Sequence, residues 1–160
     1  MNEALSRLAA EIGLQRAENG PLRLAFGLAC ADRVRHLLED PRTLECLAVL
    51  RDCVERGCDE SALSAAAQEA ARIANSHRGS NSIDGSAHAA VSATYAVANA
   101  LAGRALEAAS YAAYAAVYAY GGYAITDPAS FEGEFAWQQE QLRRLAGMSR
   151  PNSPSARAAA

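Results

Sequence analysis

Residues 86 to 126 form a run of 41 positions dominated by alanine and tyrosine, and only Arg104 and Glu107 carry a formal charge within it. Alanine is the strongest helix former, and its lone methyl lets neighbouring backbones approach closely. A chain built this way folds into tightly packed helices. All six tyrosines lie between Tyr95 and Tyr123. The run therefore fixes a packing style and names no chemistry.

The rest of the chain agrees with a single helical domain. At 160 residues it is long enough to bury roughly 70% of its unfolded-state surface. Hydrophobic content of 51% against 21% charge is that of a globular protein. The net charge of −3 conceals an asymmetry, because residues 141 to 160 hold four arginines and no acid. Residues 1 to 140 thus set eleven arginines against eighteen Asp and Glu, a balance of −7. An acidic body disfavours phosphate backbones, so nucleic acid is not an expected partner.

Helix punctuation divides the chain. A first helix is expected from about Asn2 to Glu18, with Leu5, Leu8, Ala9 and Ile12 on one face, stopped by Asn19-Gly20-Pro21. A second covers Leu22 to Leu38. Asp40 caps a third, with Pro41 at its first position and Leu44, Leu47, Ala48, Leu50 and Val54 inward, ending at Gly57. Asp59 or Ser61 caps a fourth that reaches Ser76, and Arg78 to Gly85 has loop composition. Read as one helix, residues 86 to 121 would span roughly 54 Å, too long for one compact domain, so Gly103 is the expected break between a fifth and a sixth helix. Gly121-Gly122 closes the sixth. Asp127-Pro128 starts a seventh carrying Phe131, Phe135, Leu142 and Leu145 to Gly147. No segment alternates with period two, so the expected fold is an all-α bundle of about seven helices over residues 1–147, with a disordered tail over 148–160.

No secretory leader is evident at the N-terminus, which reads as an amphipathic helix, and a cytoplasmic protein with reduced thiols is expected. Cys30, Cys46, Cys53 and Cys58 show no zinc-site spacing, with or without His36, and are read as small apolar residues; no metal or cofactor is expected. The Ala-rich run is long enough to cross a membrane, but alanine, serine and glycine supply little transfer energy. Arg104 and Glu107 fall midway, so no membrane association is expected.

Two polar stripes emerge from helical geometry. On the fifth helix His88, Ser92, Tyr95 and Asn99 fall within about 60° of one another, opposite Ala90, Ala93, Val97 and Ala100. On the sixth, Arg104, Glu107, Tyr111, Tyr114 and Tyr118 align within about 80°, and Arg104 and Glu107 are spaced to pair. A solvated face would carry more charge, whereas sparsely charged tyrosine rows suit partner surfaces, because tyrosine offers large area at small entropy cost. No catalytic constellation is seen: His36, His77 and His88 stand in different segments without a nucleophile or metal motif, and no glycine pattern is ordered to cradle phosphate.

The segment Leu22 to Glu39, with Cys30-Ala31-Asp32 and His36, followed by Asp40-Pro41-Arg42, resembles the opening of bacterial immunity proteins of the immunity protein five-like class. The likeness continues through the Ala-rich fourth helix to Ala105-Leu-Glu-Ala-Ala-Ser-Tyr111 and covers roughly residues 21 to 125. Members of that class tend to carry histidines in the fifth helix where this chain has Tyr95 and Asn99. The resemblance implies an all-α cytoplasmic antidote that neutralises a toxin protein by binding it, with no catalytic residue. The candidate contact residues are then Tyr111, Tyr114 and Tyr118, and Glu39 and Glu45 from an acidic cluster that extends to Glu60. Two other readings stand beside it: sequestration of a small molecule in a tyrosine-lined pocket, and a helical enzyme whose His88, Ser92, Tyr95, Asn99 line faces inward. Self-association is left open by the sequence.

Overall fold

The computed structural model describes residues 1–77 and 86–147. Among these it contains α1 (Glu3–Glu11), α2 (Gly20–Arg33), α3 (Pro41–Arg56), α4 (Glu60–Ser76), α5 (Ser86–Leu101), α6 (Ala105–Tyr120) and α7 (Glu132–Leu145). Short 3₁₀ turns occur at Ala17–Asn19, Arg35–Leu37, Ala124–Thr126 and Pro128–Phe131, and no strand is present among the described residues. The all-α expectation holds. The loop expected at 78–85 and the tail expected from 148 lie outside the described residues.

The helix starts follow from short polar caps that satisfy the first free backbone donors. Asp40 accepts from the Arg42 amide, Asp59 from the amides of Ser61 and Ala62, and Asp127 from that of Ala129. α1 departs from expectation by ending at Glu11 instead of Glu18. Gly13 adopts φ +66°, its amide bonds the Ala10 carbonyl, and the Leu14 amide bonds back to Ala9. That pair of bonds is a Schellman ending, and it turns Leu14 into the core, where it is fully buried. The same device ends α5, where Gly103 at φ +72° bonds Ala100 and the Arg104 amide bonds Asn99. α2 likewise stops at Arg33 rather than Leu38, the chain tightening into a 3₁₀ turn after Val34.

α5 is the axis of the bundle, packed against α2, α4 and α6. Ala93, Ala96, Val97 and Ala100 are fully buried, so the side opposite the polar stripe faces inward as expected. α2 comes closest at Gly27, where an added Cβ would stand 3.1 Å from Cα and Cβ of Ala100. On α3 the inward side is Thr43, Cys46, Leu47, Leu50 and Cys53; Leu44 and Ala48, expected inside, are exposed. The true face is rotated by about one residue toward the cysteines.

α7 closes the bundle against α1, α2 and α6. Arg33 on α2 forms a two-pronged ion pair with Glu134 and lies 4.3 Å over the Trp137 ring. Buried Gln138 donates to the Ala109 carbonyl at 2.7 Å and accepts from Asn2 at 3.2 Å. Asn2 also caps α1 and donates to the Phe135 carbonyl, so one amide ties the first helix to the last.

The expectation of four reduced thiols fails at two of them. Cys53 and Cys58 form a disulfide that spans the end of α3 at Gly57. Cys30 and Cys46 remain free and buried. Five residues of separation across a helix end brought the sulfurs together, a geometry that helical periodicity does not reveal.

Candidate functional site

The site begins with the turn at Gly103, which folds α6 back along α5. His88 stacks on Tyr118 with ring centroids 5.2 Å apart, and Tyr95 stacks on Tyr111 at 5.1 Å. Each pair sums to the same residue number, so the two helices run antiparallel in one fixed register. The two polar stripes therefore form a single face. Tyr95 is anchored further by its hydroxyl, 3.1 Å from Oδ1 of Asn75 on α4.

The stacking continues past α6. Tyr114 lies 6.4 Å from Tyr118 and meets Phe131 edge-on at 5.3 Å, and Phe131 contacts Phe135 at 5.5 Å. Such contacts add to the area the rings bury and hold them in place. His88, Tyr118, Tyr114, Phe131 and Phe135 thus form one continuous aromatic ladder over α5, α6 and the start of α7. Tyr111 and Tyr114 keep 38% and 39% of their surface exposed; Tyr120 and Tyr123 keep 78% and 79%. Neither of these last two belongs to the ladder: Tyr120 lies about 200° around α6 from Tyr118, toward Arg33 of α2.

The expected polar line on α5 does not face inward. His88 is exposed, Ser92, Tyr95 and Asn99 are half-buried at the boundary, and Asn99 donates to the Tyr95 carbonyl. Arg104 and Glu107 do not pair. Arg104 stands before the helix in a non-helical conformation, so the three-residue spacing does not bring it over Glu107. Glu107, in the first turn of α6, has no ion-pair partner among the described residues and faces a cavity.

That cavity, about 470 Å³, opens between α1, α6 and α7 beside Leu5, Leu106, Glu107, Tyr111, Tyr114 and Gln138. A second, about 260 Å³, lies on the far side of Ser110 and Tyr114 against Ile125, Phe131 and Phe135. Met1, Ser110 and Tyr114 line both, so the two are neighbouring halves of one groove. The sequence raises a tyrosine-lined pocket without placing it, because the walls come from three helices far apart in the chain.

The acidic side of the molecule is separate. It occupies α3 and the start of α4, which pack on the opposite flank of α5 from α6. Part of its charge is already engaged: Asp40 with Arg42 at 2.7 Å, Glu55 with Arg51 at 3.9 Å, and Asp52 with Arg56 at 4.0 Å. Arg42 beside Asp40 holds that carboxyl below the usual carboxylate range. Glu39 lies 3.8 Å from His77, while Glu45 is exposed with no ion pair among the described residues. Glu39 and Glu45 therefore do not join the tyrosines in one patch.

The two free thiols are poor nucleophiles. Burial, with a lesser push from the Glu134 carboxylate, raises the Cys30 pKa far above the ordinary thiol range, and burial does the same more mildly at Cys46. No cluster of three or more His, Cys, Asp or Glu among the described residues is arranged to hold a metal, and no described helix is long and apolar enough to cross a membrane. Comparison with family models, curated proteins and solved structures finds no match to this chain.

Proposed function

We propose that the chain is a non-catalytic binding protein whose aromatic face on α5 and α6 docks on a partner protein. The observation that carries this reading is the aromatic ladder. It is laterally braced, sparsely charged and left partly uncovered over a packed alanine core. Rings already held by stacking lose little freedom on docking, which concentrates binding energy in a few side chains. The resemblance to immunity proteins supplies the kind of partner: a bacterial toxin effector neutralised in the cytoplasm by occupation of its active face. Glu45 and Glu39, on the other flank, would then act at longer range, raising the association rate with a basic partner rather than the final affinity.

The test uses the product of a neighbouring secreted-toxin gene. His88→Ala and Tyr118→Ala remove rings of the ladder that lie outside both cavities. At least one should weaken binding by about 2 kcal/mol, roughly thirtyfold, and reduce growth rescue while the melting temperature holds. Charge reversal at Glu39 and Glu45 should slow association more at low salt than at high. Unaltered binding and rescue in all of these variants would remove the face from the mechanism.

A second reading, small-molecule sequestration, is favoured by one observation, the groove that Tyr111 and Tyr114 line.

A further inference from the structure

The chemistry of the groove selects its occupant. At one end stands Glu107, the one acidic side chain among the residues that line either cavity; no arginine or histidine lines them, and Met1, which carries the N-terminal ammonium, lines both without an ion pair to Glu107. The Glu107 carboxylate has neither an ion pair nor a hydrogen bond among the described residues, since the neighbouring Arg104 lies outside the helix. Beside it are Tyr111, whose ring is stacked on Tyr95, and Tyr114, whose ring is braced by Phe131. Aromatic faces next to a carboxylate attract a poorly hydrated organic cation, because the ring quadrupole and the formal charge act in the same direction. The other end differs: Ile125, Pro128, Phe131 and Phe135 give apolar walls without a charge. From Glu107 to Tyr114 the groove follows α6 for about 10 Å, the rise of seven helical residues. An anionic head placed on Tyr111 and Tyr114 would meet the Glu107 carboxylate with no arginine or histidine side chain beside it. A compact polar solute would leave the apolar half unfilled.

We propose that this groove binds an elongated organic cation, its amine or quaternary ammonium head against Glu107, Tyr111 and Tyr114 and its apolar tail along Phe131 and Phe135. The assignment rests on the sequestration reading and not on the docking of a protein partner.

The experiment is calorimetric titration of the full chain with butyl-, hexyl- and octyltrimethylammonium, each kept below its micelle threshold, alongside octanoate and octanol. Affinity for the cations should rise with tail length by up to about fourfold per methylene as the tail enters the second cavity. Octanoate and octanol should bind more weakly than the cation of equal tail. Glu107→Gln, at an exposed position, should lower cation affinity about threefold to tenfold and leave octanol unchanged. Ser110→Trp, which places bulk on the wall shared by the two cavities, should flatten the dependence on tail length. Circular dichroism melts of both variants establish that each is folded. If octanoate binds as tightly as the cation, or Glu107→Gln leaves the cation unaffected, the head assignment is overturned while the groove remains an apolar site. If no amphiphile of any charge binds, the sequestration reading itself falls.

Discussion

Gly27 gives the sharpest test of how the bundle is packed. In an ordinary helix interior, replacing glycine by alanine stabilises by about 1 kcal/mol, because the unfolded chain has less freedom to lose. At Gly27 the new methyl would stand 3.1 Å from Cα and Cβ of Ala100 and 3.6 Å from its carbonyl oxygen. Comfortable carbon contacts are about 3.5–4.0 Å, and two of these three neighbours are backbone atoms that move only with α5. Overpacking of this kind costs about 1–3 kcal/mol, so the net change in Gly27→Ala should run from zero to about 2 kcal/mol destabilising. Gly133, near the start of α7, is the internal control: nothing lies within 4 Å of its added Cβ, and Gly133→Ala should stabilise by about 0.5–1 kcal/mol. Urea unfolding followed by far-UV circular dichroism resolves the two, and a difference of 1 kcal/mol would also shift the melting temperature by about 2–4 °C. Equal stabilisation by both substitutions would refute the close approach of α2 to α5.

Reduction of the Cys53–Cys58 bridge frees a short loop and should cost about 2 kcal/mol by loop entropy; alkylation mass spectrometry of protein prepared without reductant should find Cys53 and Cys58 unlabelled. Asp40→Ala removes the cap of α3 and should destabilise by about 1 kcal/mol. Because the folded state lowers the Asp40 pKa, its contribution is full above the ordinary carboxylate range and is lost as pH falls through the folded value; Asp40→Asn should flatten that acid limb of a stability–pH profile.

Much of the fold was legible where a single residue does a local job. Asp40 with Pro41, Asp59, and Gly103 announced helix boundaries that the structure places within about one or two residues. α1 was misjudged because Leu14 to Ala17 are good helix formers, and only the backbone conformation at Gly13 diverts them. Asn19 belongs to that same ending: its amide reaches back to the Ile12 and Gly13 carbonyls, a contact between residues six and seven apart that helical patterning does not contain. At the candidate site, periodicity placed Tyr111, Tyr114 and Tyr118 on one face. It did not show that His88 and Tyr95 lean on them, because that depends on the interhelical register set at Gly103. The groove was least visible. Leu5, Glu107 and Phe135 become neighbours of one space only after α1, α6 and α7 have assembled.

The Asn2 tie has a consequence for the order of assembly. Its bonds to Phe135 and Gln138 join residues 133 and 136 positions apart, the longest-range hydrogen bonds among the described residues. During synthesis α1 leaves the ribosome long before α7, the helix that secures it. At about 5–20 residues per second the wait lasts roughly seven to twenty-seven seconds. The alanine hairpin and α2 can dock meanwhile, since their contacts are nearer in sequence. α1 is thus made long before it is fastened, and the groove it roofs comes into being only once α7 has followed.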